Sequence, residues 1–158
     1  DGTLKFKEIN VKISNQIIVP ENAVTIQLNT LKRFQKLEGF GFALTGGSAK
    51  LINELTENKK TSILQEVFGK NKLSLGVSYI RISIGASDLD AHVFSYDDLA
   101  AGETDSLLTK FSLSEDTLHL IPILKKALAI QPGLKIIASP WSPPIWMKTN
   151  KASMGGIY

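Results

Sequence analysis

Val77-Ser78-Tyr79-Ile80-Arg81-Ile82-Ser83-Ile84 reads as an apolar β-strand, and it runs directly into the polar stretch that begins Gly85-Ala86-Ser87-Asp88 and continues to Ser114. On its N-terminal side, Leu51, Ile52 and Leu55, then Ile63, Leu64, Val67 and Phe68, recur at helical spacing, with a break expected near Glu57-Asn58 and a stop at Gly69. On its C-terminal side, Ile121, Leu124 and Leu128 mark a second helical face. Pro122 suits that helix's first turn and Gln131-Pro132-Gly133 closes it. Further out lie two more strands. Leu37 to Thr45 is short, apolar and interrupted by glycine before Gly46-Gly47-Ser48; Leu134 to Ser139 leads into Pro140-Trp141-Ser142-Pro143-Pro144-Ile145-Trp146. Three strands alternating with two helices predict a parallel sheet, either doubly wound or the start of a (β/α)8 barrel, and periodicity leaves both open. A dinucleotide loop is disfavoured, because Gly39-Phe40-Gly41-Phe42-Ala43-Leu44 places leucine where the third glycine would stand.

Before Phe34 the texture differs. Ile9, Val11 and Ile13 alternate with polar residues, Pro20-Glu21-Asn22 reads as a turn, and Val24, Ile26 and Leu28 alternate again, which predicts two antiparallel strands. Such a pair is marginal alone and needs further strands or a packed layer.

The chain has 158 residues, 43% hydrophobic and 21% charged, within the range of ordinary globular proteins. Its apolar runs fall far short of the roughly 20 residues that span a bilayer, so no membrane span is expected. The absence of cysteine excludes disulfides and thiolate metal sites. The net charge of +3 comes mainly from scattered lysines, with Arg33 and Arg81 the two guanidinium groups; no clustered basic face suggests nucleic acid. His92 and His119 lack a metal-binding partner pattern, and Asp88, Asp90, Asp97 and Asp98 do not have calcium-loop spacing, so neither metal nor cofactor is expected. No Gly-x-Ser-x-Gly elbow is present. The opening Asp1-Gly2-Thr3, without Met or a signal-like region, suggests a processed start.

In parallel α/β folds, functional residues gather at the C-terminal ends of strands. Arg81 lies within the middle strand, where its guanidinium must be paired: either in a structural ion pair or in orienting a carboxylate of the site. Asp88 follows the same strand and either caps a polar turn or accepts from sugar hydroxyls. Trp141 and Trp146 flank prolines after the third strand. Each indole can pack under a helix or offer a flat face and one N–H donor to a pyranose.

Three segments carry a family resemblance: Phe34-Gln35-Lys36-Leu37-Glu38-Gly39-Phe40-Gly41, Tyr79-Ile80-Arg81-Ile82-Ser83-Ile84-Gly85-Ala86-Ser87-Asp88, and Ala138-Ser139-Pro140-Trp141-Ser142-Pro143-Pro144-Ile145-Trp146-Met147-Lys148-Thr149-Asn150. In order and spacing they resemble the first three barrel strands of glycoside hydrolase family 30, the glucosylceramidase-like group. The resemblance implies strands of a side β-sandwich domain in residues 1–33 and the first part of a (β/α)8 barrel in residues 34–158. It implies that Asp88 and Trp141 bind substrate and that Arg81 supports the active site near the nucleophile. Where many members carry an acidic residue after the first strand, this chain has Thr45-Gly46-Gly47-Ser48.

Retaining glycosidases use two carboxyls roughly 5–5.5 Å apart. The family's acid/base glutamate, in an Asn-Glu-Pro after strand four, and its strand-seven nucleophile have no counterpart here, and Glu38, Glu54 and Glu103 match neither. The resemblance therefore predicts no catalytic residue in this chain, with both glutamates beyond Tyr158, and a need for the remainder of the barrel from the same gene or another chain. A barrel typically takes roughly 250 residues, so the chain alone is expected to be inactive and poorly stable. The parent is expected to hydrolyse a β-linked glucoside or glucan with retention, of glucosylceramide or β-1,6-glucan type or a xyloside, in a periplasmic or secreted location. The alternative is a carbohydrate-binding or inactive truncated product.

Overall fold

A computed structural model describes residues 21–24 and 26–157. The chain falls into two compact units, Asp1–Lys36 and Leu37–Tyr158. In the first, the described residues make turns. Asn29 organises one of them, its Oδ1 accepting from the Leu31 amide at 3.0 Å and its carbonyl from the Lys32 amide at 3.2 Å. The expected strand through Val24, Ile26 and Leu28 is not formed by the described residues, whose apolar side chains there are exposed. A strand needs a ladder partner to satisfy its amides, and the expected partner around Ile9, Val11 and Ile13 lies outside the described residues.

The second unit runs β1 (Gly41–Ala43), α1 (Gly46–Asn53), α2 (Glu57–Phe68), β2 (Tyr79–Ile84), α3 (Ser114–Leu118), α4 (Leu120–Ile130), β3 (Lys135–Pro140) and a 3₁₀ turn, Ile145–Met147. The strands are parallel and adjacent in chain order, β1-β2-β3. Ala43 stands opposite Arg81, and Arg81 opposite Ile137.

The first expected helix is divided and the second is α4, with Pro122 in its first turn. The first breaks between Asn53 and Glu57, close to the expected place. A short α3 that the sequence reading did not anticipate precedes α4, separated from it at His119, whose backbone (φ −135°, ψ −54°) leaves the helical region. Helix α1 starts at Thr45, whose Oγ1 accepts from the Ser48 amide at 3.2 Å and so satisfies one of the free N–H groups of the first turn. Helix α2 stops at Gly69, as its sequence predicts.

Strand alternation sorts the side chains. Leu44, Ile80 and Ile82 join a core with Ala49 of α1, Leu64 and Phe68 of α2, and Leu120, Ile123, Leu124 and Ala127 of α4. Alanines at 49 and 127 let α1 and α4 approach closely, and both are fully buried. Each fully buried Leu64, Ile80 or Ile123 contributes about 1.5–3 kcal/mol by burial. The opposite face carries Tyr79, Arg81, Ser83, Lys135 and Ile137, by the same alternation. Helices packed on one face of a sheet whose strands follow chain order fit a barrel segment; a doubly wound sheet would carry helices on both.

That open face is fastened where the strands begin. Lys135 Nζ lies 2.6 Å from Glu38 Oε2 and 2.8 Å from the Tyr79 hydroxyl, which itself donates to Glu38 Oε2 at 2.6 Å. The Lys135 ammonium holds the Glu38 carboxyl below its ordinary range, and Glu38 in turn raises Lys135.

Candidate functional site

Arg81, from within β2, meets Trp141, the residue that follows β3. Trp141 follows β3, its amide donating to the Ile84 carbonyl at 3.3 Å, and the Arg81 guanidinium carbon lies 5.4 Å from the centre of its ring. Among the described residues no carboxylate comes within ion-pair distance of Arg81. The structural ion pair that sequence allowed is thus replaced by a cation–π contact, worth about 0.5–2 kcal/mol. A guanidinium stacked this way keeps its in-plane N–H groups available to another acceptor. Trp141 remains 45% exposed.

The loop after β2 needs Gly85, which has φ +78° and packs so close to the Phe94 carbonyl that a Cβ would sit 3.2 Å from it. Two aspartates follow with separate tasks. Asp90 Oδ2 accepts from the Ser87 amide at 2.7 Å and its hydroxyl at 2.8 Å, which closes the turn. Asp88 is left exposed, with no hydrogen bond to its carboxylate among the described residues, and it lines neither of the two cavities described below. The structure thus joins Arg81 to Trp141 and leaves Asp88 in the neighbouring loop.

The two tryptophans also divide their roles. Trp146 Nε1 donates to the Asp97 carbonyl at 3.0 Å, which ties the 3₁₀ turn to the β2–α3 loop. Beside Trp141 lies a cavity of about 320 Å³, walled by Ile84, Leu108, Phe111, Pro144 and Met147 together with Tyr96 and Asp97. Tyr96 and Asp97 escaped sequence reasoning because they sit in a stretch that reads only as polar.

The same loop is anchored to α3. The Tyr96 hydroxyl donates to Asp116 Oδ2, and His92 Nε2 lies 3.3 Å from Glu115 Oε2. Burial, reinforced by the Asp116 hydrogen bond, pushes the Tyr96 phenol up to about 12. Burial also raises Asp116, assisted by the charges of Asp90 and Glu115 and opposed by the hydrogen bond from Tyr96. Phe94 and Phe111 flank Tyr96, at centroid distances of 6.4 and 5.6 Å. A second cavity, about 260 Å³, lies between this anchor and Gly46 and Gly47 of α1. Gly46 is close-packed there: a Cβ would overlap the Asp90 carboxylate.

The glutamates of the second unit point elsewhere. Glu38 binds Lys135, Glu54 binds Lys50, Glu57 binds Lys60 and Lys126, Glu103 binds Lys110, and Glu115 faces His92. Glu66 lies on α2 in a hollow with Gln65 and Asn71. None lines the cavity at Trp141. No helix among the described residues is long and apolar enough to cross a membrane.

A parallel sheet covered by helices on one face, with an exposed indole just past the end of β3 in contact with an arginine of β2, fits a (β/α)8-barrel segment of the kind that carries a site on its strand-end loops. Residues 37–157 match the glycosyl hydrolase family 30 TIM-barrel domain, and the chain belongs to that family. It is 35% identical over 159 residues to an endo-1,6-beta-D-glucanase of Neurospora crassa, an alignment covering 98% of this chain and 32% of that protein. It is 34% identical over 127 residues to the lysosomal acid glucosylceramidase of Mus musculus, covering 79% of this chain and 24% of that protein. Its structure is similar to that of the endo-beta1,6-glucanase BT3312, with TM-score 0.65 and 38% identity over 77% of this chain and 25% of that one. The chain spans about a quarter to a third of the length of the curated relatives it matches.

Proposed function

We propose that this chain forms part of the sugar-binding wall of a retaining β-glycoside hydrolase, acting on a β-glucoside of glucosylceramide or β-1,6-glucan type. The observation that carries the reading is the Arg81–Trp141 pair at the strand ends of a family 30 barrel segment. The exposed indole offers a face for a pyranose, Arg81 orients a carboxylate of the site, and the free carboxylate of Asp88 accepts from sugar hydroxyls. The acid/base and nucleophilic carboxyls come from polypeptide outside these residues. That assignment is supported by the engagement of this unit's glutamates away from Trp141 and by the relatives' greater length.

The test is hydrolysis of an aryl β-glucoside and of β-1,6-linked gluco-oligosaccharides by the full-length protein, followed by proton NMR. The β-anomer should appear first, and the 158-residue chain alone should give no turnover. Trp141→Ala should lower kcat/KM about 10-fold or more, the equivalent of losing roughly 1.4 kcal/mol or more of contact with the sugar. Trp146→Phe removes the N–H that holds the Asp97 carbonyl and part of the ring's packing, away from the proposed sugar face, so it should lower the melting temperature while leaving KM near wild type. Initial release of the α-anomer, or equal effects of the two tryptophan substitutions on KM, would sink the reading.

A further inference from the structure

Asp97 is out of keeping with its neighbours. Asp90 holds Ser87, Asp98 holds the Ser95 amide and hydroxyl at 2.7 and 2.6 Å, Asp105 accepts from Thr109 and the Lys110 amide, and Asp116 accepts from Tyr96. Asp97 is more deeply buried than any of these, 3% exposed, yet neither of its carboxylate oxygens has a hydrogen-bond partner among the described residues. Its backbone is fixed on both sides, since its amide donates to Ser95 Oγ at 3.2 Å and its carbonyl accepts from Trp146. With the backbone held in this way, the freedom left to the carboxylate is rotation about its own side-chain bonds. Lys110 feels the charge of Asp97, yet its ammonium binds Glu103 Oε2 at 2.8 Å and forms no ion pair with Asp97.

A buried carboxylate without a partner costs several kcal/mol. A hydroxyl donor would satisfy its oxygens and leave the charge buried, whereas a cation answers both. The adjoining cavity is suited to the body of such a ligand: Ile84, Leu108, Pro144 and Met147 offer apolar contact for an alkyl stem. The Tyr96 and Phe111 rings, packed edge to face, offer π-electron density to an ammonium group. Arg81 is stacked on Trp141, so the aromatic partners available to a second cation are Tyr96 and Phe111. Both Asp97 oxygens are shut off from solvent, so engagement requires rotation of the carboxyl toward the cavity that Asp97 helps to line.

We propose that the cavity beside Trp141 is a site for an alkylammonium group, received by the Asp97 carboxylate. The site shares the Trp141 wall with the glycosidase reading but does not rest on it, since the groups that receive the cation are Asp97, Tyr96 and Phe111. The ammonium has two sources, a soluble amine or a lysine side chain of polypeptide outside these residues, and its chemistry is the same in either case.

The protein is titrated with n-butylammonium chloride at constant ionic strength, monitored by tryptophan fluorescence and by the carboxyl ¹³C resonance of Asp97, with n-butanol as the uncharged control. Saturable binding is expected, weakened at least 10-fold in Asp97→Asn and absent for n-butanol. No saturation, equal affinity in Asp97→Asn, or equal binding of n-butanol overturns the site. Melting supplies a second readout that a structural role would move the other way. Removing an unpartnered buried charge should raise the melting temperature of Asp97→Asn, by about 2–4 °C for each kcal/mol regained. A variant that melts lower or fails to fold shows a structurally paired carboxylate and refutes the proposal. The full-length protein separates the sources: if it still binds n-butylammonium, the ligand is a soluble amine; if it does not, its structure should show a lysine ammonium within about 4 Å of the Asp97 carboxylate, and a cavity covered without such a lysine overturns the proposal.

Discussion

Tyr96 shows how much a single hydroxyl can control. Its phenol is pushed from 10.0 up to about 12 by burial and by Asp116, so the folded protein keeps a proton that the unfolded chain releases. The contribution is complete below about pH 10 and is lost as pH rises toward about 12. Melting temperature measured from pH 8 to 11 should therefore fall at the alkaline end. Tyr96→Phe should melt lower at neutral pH, through loss of a charged hydrogen bond worth about 1.5–3 kcal/mol, and should show a shallower alkaline decline. An unchanged decline would mean that other groups control it. At this scale the sequence was informative where chemistry follows position. Arg81 stood out as a guanidinium inside an apolar strand and Trp141 as an indole at a strand end, though their contact with each other could not be read from the sequence. The choice between Asp88 and Asp90 as the turn carboxylate could not be made, since it depends on which carboxyl reaches Ser87 after folding. Asp97 was equally hidden: a carboxylate's isolation is a property of what packs around it.

Among the elements, α4 holds the sheet's covered face together. Ile123 has no exposed surface and sits among Leu44, Ile80 and Leu134, so Ile123→Ala should cost about 2–5 kcal/mol in urea denaturation. Ile121→Ala, at a partly exposed position on the same helix, should cost visibly less. Equal losses would mean that the helix docks by another face. The order of strands and helices was legible because apolar runs and glycine or proline stops coincide, and β2 and β3 lie nearly where the sequence puts them. The first strand is shorter than its apolar run, Gly41–Ala43 within Leu37–Thr45, because only those residues pair with β2. The short α3 escaped because Ser114–Leu118 carries no apolar period of its own. The alternation at Val24, Ile26 and Leu28 was a true pattern without a strand, since alternation specifies a face and pairing requires a neighbour.

For the second unit as a whole, the outer edges of β1 and β3 pair with no other described strand. Exposed edges invite pairing with another chain, and β3 adds Ile137, 56% exposed, to its open face. Sedimentation should accordingly detect concentration-dependent self-association of the 158-residue chain, reduced in Ile137→Lys. A monomer at every concentration would mean that these edges are covered. The triad of Glu38, Tyr79 and Lys135 constrains which pairing is correct. Side chains alternate along a strand, so a slip of β3 by one residue would carry the Lys135 ammonium from its two oxygen partners into the apolar layer beneath the helices. The lysine thus works as a reading-frame mark for the sheet: an out-of-register β3 is penalised at its first residue, before the groups at its far end have been brought into line.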